Sequence, residues 1–198
     1  MSTILVAGIG NVFLGDDGFG VEVVRRLQEQ LAAGELPALG ADVDIADFGI
    51  RGVDLCYALL DGVDSAILID ATQRGGSPGT LYVIEPSLEE LACAASGDPY
   101  AAPILMSPHE MDPAKVLQTV RMLGGGCEDI VVLGCEPQDF GCDDGEEGRM
   151  SLSHPVAAAV EHAVEVVVRL VMARLEKRAA RMASHAACAT VGHGYGLK

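Results

Sequence analysis

The sequence predicts an α/β fold, a three-layer α/β/α sandwich on a mostly parallel sheet of about five strands. Three observations predict it. Short, continuously apolar runs recur along the chain, as in ILVAGI at 4–9, SAILID at 65–70 and Ile130–Gly134. Unbroken apolar runs of this length suit strands covered on both faces. Between them lie segments with apolar residues at helical spacing, and Gly-rich turns separate the two kinds. The 198 residues are 49% apolar with no Trp, so one core of Val, Leu, Ile and Ala is expected.

In chain order, Thr3–Ala7 reads as the first strand and Gly8-Ile9-Gly10-Asn11 as the turn that ends it. Asn11 is expected to brace that turn through its side-chain amide. A helix follows over roughly Gly18–Leu31, with Val21, Val24, Leu27 and Leu31 on one face. Asp16 and Asp17 stand at its start, where carboxylates cap free amides and suit the helix dipole. Val43–Phe48 is strand two and Val53–Leu60 a short helix. Ser65–Asp70 is a central strand with Asp70 at its carboxyl end. Thr80–Ile84 comes too soon for a helical crossover and is expected to run antiparallel to that strand.

A helix is expected within Asp112–Leu123, with Asp112 as N-cap and Pro113 as first helical residue. Ile130–Gly134 is the last strand, and Glu136–Gly148 an acidic, solvated loop. A long helix over Pro155–Arg181 carries Val156, Val160, Val164, Val167 and Val171 at helical spacing. Residues 1–183 then make one domain, and the small-residue stretch 184–198 a flexible tail.

Charge narrows the function classes. The formal net charge is -16, although five of the 13 basic residues lie after position 173. Such a surface repels phosphate backbones, so nucleic acid is excluded as a partner, while metal cations or a basic peptide are attracted. Six cysteines without a CxxC pair fit reduced, cytoplasmic thiols better than a disulfide scaffold. The apolar N-terminus lacks a basic lead-in and reads as a strand, not a leader peptide. No run is apolar enough for membrane insertion.

The first strand-turn-helix invites a dinucleotide-binding reading, which fails. Gly8 and Gly10 fit the Gly-x-Gly-x-x-Gly pattern, but its third glycine position holds Phe13. Asp16 and Asp17 stand where a pyrophosphate would lie. The same turn suits a cation. Asp17 follows strand one, Asp70 ends the SAILID strand, and His109 precedes a helix. Two carboxylates and an imidazole suit a borderline divalent ion such as nickel or zinc. His185, Cys188 and His193 match no standard site spacing.

Five motifs, in order, resemble those of the hydrogenase maturation proteases. They are Gly8-Ile9-Gly10-Asn11 with Leu14-Gly15-Asp16-Asp17-Gly18-Phe19-Gly20-Val21, Leu68-Ile69-Asp70-Ala71, Ser107-Pro108-His109-Glu110, Leu133-Gly134-Cys135-Glu136-Pro137 and Leu152-Ser153-His154-Pro155-Val156. The resemblance implies a metal site made of Asp17, Asp70 and His109, with Asp16 as a helix cap. It implies an endopeptidase that removes the C-terminal extension of a nickel-loaded [NiFe]-hydrogenase large-subunit precursor. The nickel belongs to that substrate, and the isolated protein is open to another divalent metal. Asp17 and Asp70 are then also the candidate catalytic groups, either one a base toward water. A non-catalytic metal-binding chaperone of the same fold is the alternative reading, a nucleotide-binding oxidoreductase a weaker one. The chain departs from the family at Asp47-Phe48-Gly49-Ile50-Arg51-Gly52, where Ile50 replaces the hydroxyl residue of an Asp-Gly-Gly-Thr-like segment.

Overall fold

A computed structural model describes residues 3–86, 113–125, 127, 129–141 and 149–191, with side chains described up to residue 183 outside position 114. Five strands form one sheet: β1 (Ile4–Ile9), β2 (Val43–Gly49), β3 (Ser65–Ala71), β4 (Leu81–Ile84) and β5 (Asp129–Cys135). Their spatial order is β2-β1-β3-β5-β4. Every neighbouring pair is parallel except β4 with β5. β4 does run opposite to β3, as its short connection requires, but β5 is inserted between them.

Alternation within the buried strands sorts side chains to two faces. Val6, Ile67, Ile69 and Leu133 meet α1 (Phe19–Ala33) and α4 (His154–Val191). Leu5, Ala7, Ile9, Ala66 and Leu68 meet α2 (Gly52–Leu60) and α3 (Pro113–Met122). The result is the expected three-layer sandwich. Val156, Val160, Val164, Val167 and Val171 are all buried, as their spacing predicts. The core stripe of α1 is Phe19, Val23, Val24 and Leu27 instead of one starting at Val21, which is only partly buried. The helix begins at Phe19, and its close seat on the sheet turns Val23 inward.

That seat depends on Gly20. A methyl group there would lie 2.0 Å from the Ile69 carbonyl oxygen and 2.4 Å from that of Ile9. The start of α1 therefore rests on the carboxyl ends of β1 and β3. The helix ends as Gly34 takes a left-handed φ of 72°, its N–H bonding back to Gln30 and Leu31. α4 continues to Val191, ten residues past its expected end at Arg181. Alanines at 179, 180, 183, 186, 187 and 189 are strong helix formers and supply the extension.

Candidate active site

In an open α/β sheet, ligands bind at the carboxyl ends of the strands where the strand order reverses. Here the chain moves from β1 outward to β2, and from β3 outward toward β5 and β4. The reversal lies between β1 and β3. Asp17 follows β1 and Asp70 lies near the end of β3, so the two acids flank that crevice. A 3₁₀ turn, Gly15–Gly18, carries Asp16 and Asp17 and packs against β3.

Gly10 lets this turn close. Its φ is 126°, and a Cβ there would stand 1.7 Å from the Asp17 carbonyl oxygen. Any side chain would push the turn away from β1. Asn11 braces the loop as expected, its Oδ1 accepting the Phe13 N–H at 3.0 Å. The Asn11 N–H donates to Asp17 Oδ2 at 2.7 Å. In a phosphate-binding turn such an amide faces the anion. Here a carboxylate already occupies it, which removes the physical basis of the dinucleotide reading.

Asp17 is partly buried, and burial pushes its pKa above the ordinary 3.8, the Asn11 N–H working weakly the other way. A carboxylate short of donors retains basicity and lone pairs for a cation or a proton. Asp70 is 8% exposed and shares the sheet face of Ala66 and Leu68 toward α2 and α3. Its backbone is fixed opposite Gly134 of β5.

Asp16 differs from its neighbour. It is fully buried and does not cap α1, whose N-cap is Gly18 and whose first turn has no side-chain cap. Its Oδ1 accepts the Ser153 N–H at 2.6 Å. Its Oδ2 accepts the Ser153 hydroxyl at 2.8 Å and the N–H groups of Gln138 and Asp139 at 2.8 and 3.1 Å. Burial alone would raise its pKa, but the donors from Ser153, Gln138 and Asp139 together hold it below 3.8.

His109 lies outside the described residues. α3 begins four residues later at Pro113 and ends near the bottom of the sheet, where a Cβ at Gly125 would meet Leu60 at the end of α2. The start of α3 therefore opens toward the same rim as Asp70. Among the described residues, no three His, Cys, Asp or Glu side chains cluster to hold a metal ion.

A family model for hydrogenase maturation proteases, HycI, matches residues 21–170. The chain belongs to that family. The match includes Asp70 and His109 and begins four residues after Asp17. The hydrogenase 2 maturation protease of Escherichia coli is 28% identical over 166 residues, covering 83% of this chain and 88% of the relative. The hydrogenase expression/formation protein HupD of Rhodobacter capsulatus is 30% identical over 166 residues, covering 84% of this chain and 70% of the relative. The solved structure of the E. coli hydrogenase maturating endopeptidase HybD superposes with a TM-score of 0.65 at 26% identity. It covers 87% of this chain and 93% of that one. The protein is thus a member of a protease family on this fold.

Two groups at the maturation-protease rim escaped sequence reasoning. Glu136 is no solvated loop residue; it is 4% exposed. Its carboxylate accepts the N–H groups of Arg74 and Gly75 at 2.9–3.1 Å and the Tyr82 hydroxyl at 2.8 Å. Burial opposes ionisation, yet these donors hold its pKa below the ordinary 4.5. Successive N–H groups at a turn form an anion-binding concavity, here filled by the chain's own carboxylate. The signal available was the Gly75-Gly76 pair after Asp70. The second missed role is that of Asp16, whose partners come from distant parts of the chain.

A cleft of about 530 Å³ opens beside the turn, between the starts of α1 and α4, lined by Val12, Gly15, Gly18, Met150 and Leu152 among others. Neither Asp17 nor Asp70 lines it. The thiols of Cys56, Cys127 and Cys135 are free and buried. Burial raises all three, with Cys127 near 11 and Cys135 near 12, so none is a ready nucleophile.

Proposed function

We propose that this family member is a cytoplasmic, aspartic-type endopeptidase that removes the C-terminal extension of a nickel-loaded [NiFe]-hydrogenase large-subunit precursor. The observation that carries the reading is the placement of Asp17 and Asp70 on either side of the β1/β3 crevice, one with its pKa raised by burial. In this reading His109, four positions before α3 in the sequence, is the imidazole that joins the two acids as ligands to the substrate's nickel.

In this account the nickel is cargo of the precursor. Contact with it places the scissile peptide at the crevice. Asp17 or Asp70 takes a proton from water as its oxygen adds to the scissile carbonyl carbon. The carbon–nitrogen bond then breaks, and the proton passes to the leaving amine. One carboxylate oxygen cannot both hold the metal and take the proton, so the two acids divide the roles. The precursor, not a small molecule, is the partner.

The reading is tested by incubating the protein with the precursor and weighing both by mass spectrometry. A mature subunit and a released C-terminal peptide are expected. A precursor that is bound but keeps its full mass would replace the protease with a metal-sensing chaperone.

A further inference from the structure

We propose that Asp16 is a positioning residue, a buried clamp that fixes where Asp17 stands. The inference rests on the reading of Asp17 as a group of the reactive site. A four-residue 3₁₀ turn has few and poorly aligned internal hydrogen bonds and does not hold itself in place. This turn is held from outside. The Gly15 N–H donates to the Arg149 carbonyl at 2.7 Å and the Asp16 N–H to the Asp139 carbonyl at 3.1 Å. The Asp16 carboxylate returns three bonds to the Ser153 N–H, the Ser153 hydroxyl and the Gln138 N–H, and a fourth to the Asp139 N–H.

One side chain thus joins three segments: the turn after β1, the segment after β5 and the residue preceding α4. The Ser153 carbonyl already accepts the Ala157 N–H in the first turn of α4, so the clamp is anchored to the longest helix of the fold. All four donors are N–H or O–H groups. The site therefore requires an acceptor with two oxygens, which a carboxylate supplies and an amide does not. Asp17 itself is held through its side chain by the Asn11 N–H. Its position follows from the adjoining backbone, and that backbone is fixed by Asp16.

The test uses Asp16→Asn, Ser153→Ala and Val171→Ala. Val171 is a buried core residue of α4, remote from the rim, and serves as a stability-matched control. Two readouts are taken below every melting temperature: kcat and KM for precursor trimming, and hydrogen exchange of the Asn11 amide. Asp16→Asn should lower kcat/KM at least about tenfold, through kcat where Asp17 is the base and through KM where it is the metal contact. Its Asn11 amide should exchange faster. Val171→Ala should match its melting loss while leaving kcat/KM and Asn11 exchange unchanged, and Ser153→Ala should fall between. An unchanged kcat/KM in Asp16→Asn, or an equal loss in Val171→Ala, overturns the clamp. If Asp16→Asn does not fold, Ser153→Ala decides by the same two readouts. If the parent trims no precursor, the protease reading fails, and Asn11 exchange alone decides the clamp.

Discussion

The two ends of the sheet hold their acids with different partners, the exposed Arg149–Asp139 pair at 2.8 Å being an exception at the carboxyl end. At the amino end, Arg174 of α4 reaches the bases of β3 and β5. Its Nε donates to Ser65 Oγ at 2.6 Å, and one Nη pairs with Asp129 at 2.9 Å. Arg178 stands 3.2 Å from Asp42 just before β2. Acid there meets base. At the carboxyl end, the buried carboxylates of Asp16 and Glu136 are held by neutral N–H and O–H groups, so their charge stays. Asp70 is buried and Asp17 partly buried beside them. Dipoles fix negative charge without cancelling it. On the proposed reading, this retained negative charge is what meets the metal of the substrate.

The contrast can be broken at several points. The largest effect is expected at the rim crevice. Asp17→Ala and Asp70→Ala should each lower the trimming rate by about 100-fold or more while the fold survives, checked by product mass and circular dichroism. Next is Gly20→Ala. A methyl 2.0 Å from the Ile69 oxygen forces α1 off the sheet, and unfolding in urea should show a loss of about 3 kcal/mol or more. Arg174→Ala should weaken the amino end by about 2 kcal/mol in the same assay, with trimming of folded protein unchanged.

The smallest effect sharpens the comparison most. Burial raises the Asp17 pKa, so its contribution favours the fold below the ordinary 3.8 and is lost as pH rises through the raised value. At pH 7, Asp17→Asn should therefore melt at or above the parent temperature, and the difference should narrow toward pH 3. A clear drop at pH 7 would mean that the charge stabilises the turn.

The sheet and its layers were legible because buried parallel strands leave unbroken apolar runs and α4 leaves a valine at each turn. The places of Asp70 near the end of β3 and of Asp17 in the turn after β1 were legible because an apolar run fixes each strand. Asp16 was misread as a helix cap. Its four donors come from Gln138, Asp139 and Ser153, more than 120 positions away, and no local pattern records such pairing. Glu136 was hidden for a different reason. An acidic stretch reads as solvated, and only the fold shows that its first residue turns inward. The basic residues gathered late in the chain gave no local sign of their partners; Arg174 and Arg178 pair with Asp129 and Asp42 at strand bases.

The most direct test of the account compares nickel-loaded with nickel-free precursor, each incubated with the protein and followed by mass spectrometry. The account predicts a shortened subunit from the nickel-loaded precursor alone, and none when Asp70 is replaced. Equal trimming of both precursors would contradict it.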